Sequence, residues 1–307
     1  MTRVMKTSIN GSATMVFPSV QNALADLRAT KAEGFTGYWL AQVGLGDALT
    51  VFAAAGDDTA GMEVGTAVIP TFPRHPYALA QQALMTQAAI AGKLIIGLGM
   101  SHQPSVENNL RMKWERPIRH MNDYLDVLLP LLESGQVDHT GDFWSGEIAG
   151  AKPTEVVPSV MLAALGPQML DIAGKRTDGT ILWLVGPRTI ADHIAPRINE
   201  AAAAADRAAP RVVCSLPVCV TDDDAAARGL IAQFLAGYND LPSYRAMMDR
   251  EGAAGPENVA IVGNEAHVTE KLEELAQAGA TEFAGVPTSF DADEISRTRA
   301  CLRAFSS

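Results

Sequence analysis

The sequence predicts an α/β fold, a (β/α)8 TIM barrel with insertions, and two observations carry that prediction. Short β-favouring runs alternate with helical segments along the 307 residues, which is the pattern of parallel strands joined by helices. Several runs, such as 94–99 (LIIGLG) and 181–185 (ILWLV), are apolar on both faces, as strands of a buried parallel sheet are. Eight such strands, most of them followed by a helix, favour a closed barrel over an open sheet.

The first half of the chain supplies four strands and four helices. Three helices are expected to end at Gly34, Gly92 and Gly135, and Pro117 lies near the start of the last one. Asp47 is the expected N-cap of the second helix. The predicted strands are 3–9, 37–42, 62–70 and 93–99, and the predicted helices are 19–34, 46–56, 75–92 and 116–135.

The second half resumes this alternation after an inserted segment. Residues 136–150 (QVDHTGDFWSGEIAG) place a Thr-Gly-Asp turn between β-favouring residues, which predicts a hairpin. Residues 239–263 contain Gly and Pro and are expected to form an irregular excursion, and a further insertion is expected near 102–115. No change of composition marks a domain boundary, so one domain over 1–307 is predicted. The other predicted strands are 159–165, 179–185, 211–220 and 281–287, and the other predicted helices are 166–176, 187–209, 222–238, 264–280 and 291–307.

Charge and composition narrow the class of partner. The formal net charge is −11 and no Lys/Arg cluster is present, so neither nucleic acid nor an anionic membrane is an expected partner. No apolar run reaches the ~18 residues of a membrane span. The first residues, MTRVMKTSING, lack the apolar segment of a signal peptide, so a cytoplasmic location is expected. A small-molecule substrate is the expected partner, and a homodimer is an open possibility.

The three cysteines, Cys214, Cys219 and Cys301, form neither a disulfide framework nor a zinc-binding spacing, and they are expected to be buried thiols. No His-x-x-x-His motif or local cluster of Asp, Glu and His is present, so no metal site is predicted. The sequence has no Walker motif, and no Gly-x-Gly-x-x-Gly motif opens a helix at the start of the chain, which disfavours a Rossmann nucleotide site. It has no Gly-x-Ser-x-Gly motif, which disfavours a serine hydrolase. Because few protein nucleophiles or acid–base pairs remain, an organic cofactor is expected to perform the difficult step.

The active site of such a barrel lies at the carboxyl ends of the strands. Gly166 and Pro167 stand between a strand and a helix, where unpaired amides favour a phosphate, and Met100 and Ser101 follow another strand. A glycine at this kind of turn is also often structural. His102 lies at the barrel mouth, either as a proton or hydrogen-bond donor or as a solvated loop histidine.

Three segments, 37–56, 64–102 and 162–187, resemble the luciferase-like flavin and deazaflavin enzymes, most closely the branch that uses coenzyme F-420. They read GYWLAQVGLGDALTVFAAAG, VGTAVIPTFPRHPYALAQQALMTQAAIAGKLIIGLGMSH and LAALGPQMLDIAGKRTDGTILWLVGP. The resemblance implies a TIM barrel with insertions and a non-proline cis peptide at Ala67–Val68 that supports the cofactor ring. Without it, 62–70 reads as a plain buried strand. The resemblance also implies that the cofactor phosphate is held by Gly99, Met100, Ser101, Gly166, Pro167 and Gln168.

The sequence departs from this family at two catalytic positions. Many deazaflavin-dependent dehydrogenases of the family have an Asp-His pair after strand two, where this chain has Gln42 and Val43. Their proton-donating glutamate after strand four is matched by His102. The resemblance therefore implies His102 as the proton donor and Gln42 as a hydrogen-bonding group.

The leading hypothesis is an oxidoreductase that transfers hydride between coenzyme F-420 and a small organic substrate, preferably at an activated C=C or C=N bond. A monooxygenase that uses reduced FMN is one alternative, and a non-catalytic deazaflavin-binding barrel is another. Four side chains are candidates to line the substrate pocket, with core packing or helix capping as the competing interpretation: Trp39, Phe72, His75 and Trp183.

Overall fold

A computed structural model describes residues 5–306 of the protein. The strands, in chain order, are β1 (Lys6–Asn10), β2 (Gly37–Leu40), β3 (Glu63–Thr66), β4 (Ile69–Pro70), β5 (Lys93–Gly99), β6 (Gln136–Thr140), β7 (Ser145–Ala149), β8 (Ser159–Leu162), β9 (Gly179–Trp183), β10 (Arg211–Ser215), β11 (Pro217–Val220), β12 (Ile261–Gly263) and β13 (Glu282–Pro287). The helices are α1 (Val20–Ala32), α2 (Ala48–Ala55), α3 (Pro76–Ala89), α4 (Pro117–Ser134), α5 (Pro167–Arg176), α6 (Pro187–Thr189), α7 (Ala195–Ala203), α8 (Asp224–Leu235), α9 (Pro242–Glu251), α10 (Pro256–Val259), α11 (Glu265–Ala278) and α12 (Ala292–Phe305).

Eight parallel strands close into the predicted barrel. The order is β1, β2, β3, β5, β8, β9, β10 and β13, and β13 pairs with β1, where Ile9 lies opposite Gly285. Inside the barrel, Trp39 packs with the side chains of Ile95, Met161, Ile181, Val213 and Ala284, while a larger core lies between the strands and the surrounding helices. The fold class is therefore confirmed.

Local capping fixes the ends of the helices that flank the barrel. Asp47 accepts a hydrogen bond from the backbone N–H of Thr50 at 2.7 Å, and so caps α2 as predicted. Gly135 ends α4 in the left-handed conformation, with φ 75°, which costs glycine little. These local signals explain why the helix positions follow from the sequence.

The strand predicted over 211–220 divides in two. β10 stays in the barrel and pairs with β9 and β13, whereas β11 begins at Pro217 and pairs with the far end of β13 and with β12. An apolar run of sequence indicates that a strand is buried, but not which neighbouring strand it pairs with. The sequence pattern therefore does not reveal this break.

Two of the expected insertions have regular structure. Residues 136–149 form the predicted hairpin, in which β6 pairs antiparallel with β7. Residues 239–263, predicted as irregular, instead contain α9, α10 and β12, because glycine and proline there stand at helix boundaries, as at Gly252 and Pro256. Residues 102–115 contain one π-helical turn, Ser105–Asn109. Residues 3 and 4 of the first predicted strand lie outside the described residues, as does Ser307 of the last helix.

The amino-terminal end of the barrel is closed by an ion-pair network. Glu282 is almost fully buried and accepts hydrogen bonds from Trp39 Nε1 at 2.8 Å and from Arg211 Nη2 at 2.5 Å. Arg211 also pairs with Glu63 at 3.1 Å, and Glu63 pairs with Lys6 at 2.6 Å. Since these residues begin their strands, the network seals the end opposite the expected active site.

Within residues 5–306, no helix combines the length and the apolar character needed to cross a membrane. Cys214, Cys219 and Cys301 are free and buried.

Candidate active site

A bulge between β3 and β4 carries the predicted cis peptide bond between Ala67 and Val68. The backbone N–H of Ala67 donates to the carbonyl of Leu40 at 2.8 Å, which ties the bulge to the end of β2. Both side chains are half-buried and pack on the cluster inside the barrel. The bulge therefore forms part of the floor of the barrel mouth.

The end of β5 fits tightly against this bulge. A Cβ atom on Gly99 would lie 2.5 Å from Val68 Cγ2, so glycine is needed for the close approach. Ser101 adopts a left-handed backbone with φ 64°, and such strained residues concentrate at binding and catalytic sites. Met100 is buried, and its sulfur lies 3.8 Å from Thr71 Oγ1, so only its backbone is placed to meet a ligand.

The loop after the adjacent strand β8 leads into the N-terminus of α5. Gly166, Pro167 and Gln168 are all exposed, and no side chain caps the helix, so its first amides remain available to an anion. A Cβ atom on Gly166 would meet nothing within 4 Å. His193 Nε2 lies 2.8 Å from the carbonyl oxygen of Leu165, so this histidine holds the loop in place.

His102 lies against two tyrosine rings that the sequence did not associate with it. Its ring centroid is 5.6 Å from that of Tyr244 and 6.2 Å from that of Tyr238, with edge-to-face geometry. Burial lowers the pKa of His102 below its usual range and raises the pKa of both tyrosines. The segment that carries these tyrosines, 236–251, therefore contributes to the barrel mouth.

Trp183 stands at the end of β9 and extends this aromatic cluster. Its ring centroid is 6.3 Å from that of Tyr238. Its Nε1 lies near the Tyr238 hydroxyl but is buried without a hydrogen bond of normal geometry. Asn239 Oδ1 is likewise buried without a partner, and the next residue after Trp183, Leu184, is left-handed with φ 55°. Unsatisfied buried polar atoms are uncommon in folded proteins and need a reason.

A chain of hydrogen bonds crosses the mouth from β10 to β2. Asn10 Nδ2 donates to Ser215 Oγ at 2.9 Å, Ser12 Oγ donates to Asn10 Oδ1, and the backbone N–H of Ala41 donates to Ser12 Oγ at 2.7 Å. The neighbouring Gln42 keeps a buried Oε1 without a partner. Sequence reasoning missed Asn10, Ser12 and Ser215, although polar residues at the ends of apolar strands were a usable signal.

Three of the four predicted pocket residues lie elsewhere. Trp39 is 1% exposed and points into the sealed interior, where it donates to Glu282. Phe72 packs in the outer core and stacks on His120, with ring centroids 4.3 Å apart. His75 is exposed and caps α3, its Nδ1 accepting from the N–H of Tyr77 at 3.1 Å. Their placement in the structure matches the competing interpretations of core packing and helix capping.

The remaining predicted residues come together at the carboxyl ends of β2, β3, β5, β8 and β9 in this closed barrel. The bulge offers a small, partly apolar floor, the α5 N-terminus offers free amides, and His102 with Trp183 forms an aromatic wall. A planar ring with a phosphate-bearing chain matches these features.

Residues 3–282 match the family model described as luciferase-like monooxygenase, and the chain belongs to that family. A Mycobacterium tuberculosis protein described as a coenzyme F-420-dependent oxidoreductase is 28% identical over 236 residues, which cover 71% of this chain and 68% of that protein.

Solved structures of both redox types share the fold. The F-420-dependent tetrahydromethanopterin reductase of Methanopyrus kandleri superposes with a TM-score of 0.80 at 18% identity, covering 99% of this chain and 98% of that one. The oxygenating constituent of 3,6-diketocamphane monooxygenase of Pseudomonas putida, in complex with FMN, gives 0.75 at 16% identity over 99% and 97%. At these identities the likeness shows the fold alone.

Proposed function

We propose that this protein is an oxidoreductase that binds coenzyme F-420 at the barrel mouth and exchanges hydride between it and a small organic substrate. One observation carries the proposal: the cis bulge at Ala67–Val68, the left-handed Ser101 and the uncapped α5 N-terminus at Gly166 follow three neighbouring strands. The relative described as F-420-dependent supports the choice of cofactor.

The residues present fit such a cofactor. The small side chain of Ala67 and the backbone of the bulge would support the ring, and Ser101 with the free amides after Gly166 would hold the phosphate. Open space at Gly166 leaves room for that group. When bound, the deazaflavin supplies or accepts a hydride.

His102 is the residue we assign to the substrate side. Because burial lowers its pKa, its ring is neutral near pH 7, and its N–H donates a hydrogen bond to the substrate atom that gains negative charge. Tyr238 and Tyr244 flank it with ring surface, and Trp183 packs against Tyr238. This wall favours an uncharged, partly planar acceptor with an activated C=C or C=N bond.

Cofactor titration tests the proposal directly. We expect F-420 to quench tryptophan fluorescence with a saturable curve, because Trp183 lies at the mouth, and FMN to bind at least tenfold more weakly. Saturable FMN binding without a response to F-420 would instead support a monooxygenase. Binding of F-420 without oxidation of its reduced form by enones, imines or carbonyl compounds would support a non-catalytic barrel.

The role of His102 has its own test. His102→Gln should lower turnover about 10²- to 10⁴-fold while F-420 affinity stays unchanged, and His75→Gln, an exposed helix cap, is the matched control. We expect wild-type turnover not to fall as the pH rises from about 7 to 8.5, because a neutral ring does not lose its N–H there. A rate unchanged in His102→Gln contradicts the assignment.

A further inference from the structure

Outside the barrel mouth, α4 and the β6–β7 hairpin bring together two carboxylates and an imidazole. Asp123 and Asp126 lie three residues apart on one face of α4, and His139 on β6 faces both. His139 Nε2 is 3.9 Å from Asp123 Oδ1 and 3.9 Å from Asp126 Oδ2. These three donor atoms all lie within 4.8 Å of one another.

The facing atoms lack hydrogen bonds, although the residues themselves are held firmly. The Asp123 side chain is fully buried, and its Oδ2 accepts from the backbone N–H of Phe143 at 2.9 Å, whereas its Oδ1 makes only an ion pair, with Arg119 Nε at 3.1 Å. His139 Nε2 is also shielded from solvent without a partner. Leaving this shielded ring nitrogen unmatched is costly, so an electron-pair acceptor between it and the two carboxylates is expected.

The surrounding charges orient these ligands. Asp126 directs Oδ1 to Arg176 Nη2 at 2.6 Å, which keeps Oδ2 toward His139. Arg119 Nε lies 3.1 Å from Asp123 Oδ1 and 3.3 Å from Asp142 Oδ2, so its charge is shared with an exposed carboxylate. Partners of this kind commonly fix the first ligands of a metal.

We propose that Asp123, Asp126 and His139 bind a divalent transition-metal ion of the zinc class. His139 Nε2 lies 3.9 Å from an oxygen of each carboxylate. The donor atoms of a tetrahedral zinc ion with bonds of about 2.0–2.2 Å lie about 3.3–3.6 Å apart, so a contraction of a few tenths of an ångström meets the zinc geometry. The imidazole selects zinc over magnesium or calcium, and a water molecule would complete the tetrahedron.

Such an ion joins the hairpin to α4. The hairpin carries Trp144, whose ring packs edge-on against His120 at 5.4 Å and His75 at 5.2 Å. The ion would therefore stabilise the layer that supports the loop between β4 and α3. This role is structural and does not depend on the cofactor proposed above.

Zinc titration of the full-length protein, stripped with a chelator, tests the proposal. We expect one zinc ion per chain, and a melting temperature raised by about 4 °C at a hundredfold excess over the dissociation constant. Cobalt should give a visible absorption band at the same stoichiometry. His139→Gln and Asp126→Asn should remove both signals. Asp138→Asn, an exposed neighbour on β6, should retain them.

His139 and Asp126, both half-exposed, are the positions to substitute. Asp123 is avoided because it also binds the backbone of the hairpin, so its replacement would disturb folding as well as metal binding. Wild-type protein that takes up no zinc at micromolar concentration refutes the proposal. So does zinc binding that survives in both variants. A third outcome also overturns the metal site. The protein could become more stable when the pH is lowered from 7 to 5, only when His139 is present, and show no response to zinc. A proton, and not a metal ion, would then lie between these side chains.

Discussion

The buried imidazole of His120 gives the protein a specific pH dependence of stability. Its ring is 2% exposed and stacks on Phe72, and its Nε2 lies 3.1 Å from Thr71 Oγ1. Burial lowers the pKa of His120 to about 4, with only partial opposition from the negative charge of Asp123. Lowering the pH from 7.5 to 5 therefore protonates this histidine in the unfolded chain before it protonates it in the folded protein.

The sign and size follow from linkage. In the unfolded chain this histidine binds a proton near pH 6.5, whereas in the folded protein it stays neutral until about pH 4. Its contribution is complete above pH 6.5 and is lost by about 1.4 kcal/mol per pH unit as the pH falls toward 4, roughly 3 kcal/mol in all. For a chain of 307 residues, that loss corresponds to about 5 °C in melting temperature.

Urea unfolding at pH 7.5, 6.5, 5.5 and 5.0 measures this loss. His120→Gln keeps an amide that can reach Thr71 but has no group that titrates, so its free energy of unfolding should depend less on pH, by about 2 kcal/mol at pH 5. The absolute stability of the variant is not the readout, since removing the ring also disturbs the stack on Phe72. Identical pH dependence in the two proteins would falsify the reasoning.

Four further substitutions separate stability from binding. Glu282→Gln should lower the free energy of unfolding by about 3 kcal/mol, because several buried donors lose their charged acceptor. Glu63 is one-third exposed, so Glu63→Gln should lower it by only about 1 kcal/mol. Equal losses in urea unfolding contradict this difference between buried and exposed carboxylates. Gly99→Ala should weaken F-420 binding at least tenfold by displacing Val68. Gly166→Ala should leave the melting temperature unchanged yet weaken F-420 binding, and unchanged affinity would remove the phosphate assignment.

The parts of the fold that were predictable are those encoded locally. Asp47, Gly135 and the apolar strand 94–99 specify a cap, a helix end and a buried strand within a few residues of chain, so the sequence pattern is sufficient. The break at Leu216 is different, because β10 and β11 are both apolar and differ only in their distant partners. No local pattern distinguishes one parallel partner from another.

The candidate site divides in the same way. The cis bond at Ala67–Val68 lies in one continuous segment whose resemblance to known enzymes could be seen directly. Tyr238 and Tyr244, by contrast, meet His102 across more than 130 residues of chain, and neither has a spacing that signals the contact. The sequence also does not show how deep in the barrel a side chain lies. Trp39 lies two residues before Ala41, yet its ring points into the sealed interior.

The two ends of the barrel differ in how their polar groups are satisfied, and this difference locates the binding end without reference to any relative. At the amino-terminal end, Glu282 and Arg211 meet hydrogen-bonding partners at 3.1 Å or less. At the carboxyl end, Gln42 and Asn239 each keep a buried polar atom with no partner among the described residues, and Trp183 Nε1 makes no hydrogen bond of normal geometry. Both ends are built from the same strands, so the strands alone do not explain the contrast. Unsatisfied groups persist where a ligand completes their hydrogen bonds, which is the arrangement expected if the mouth binds a polar ring.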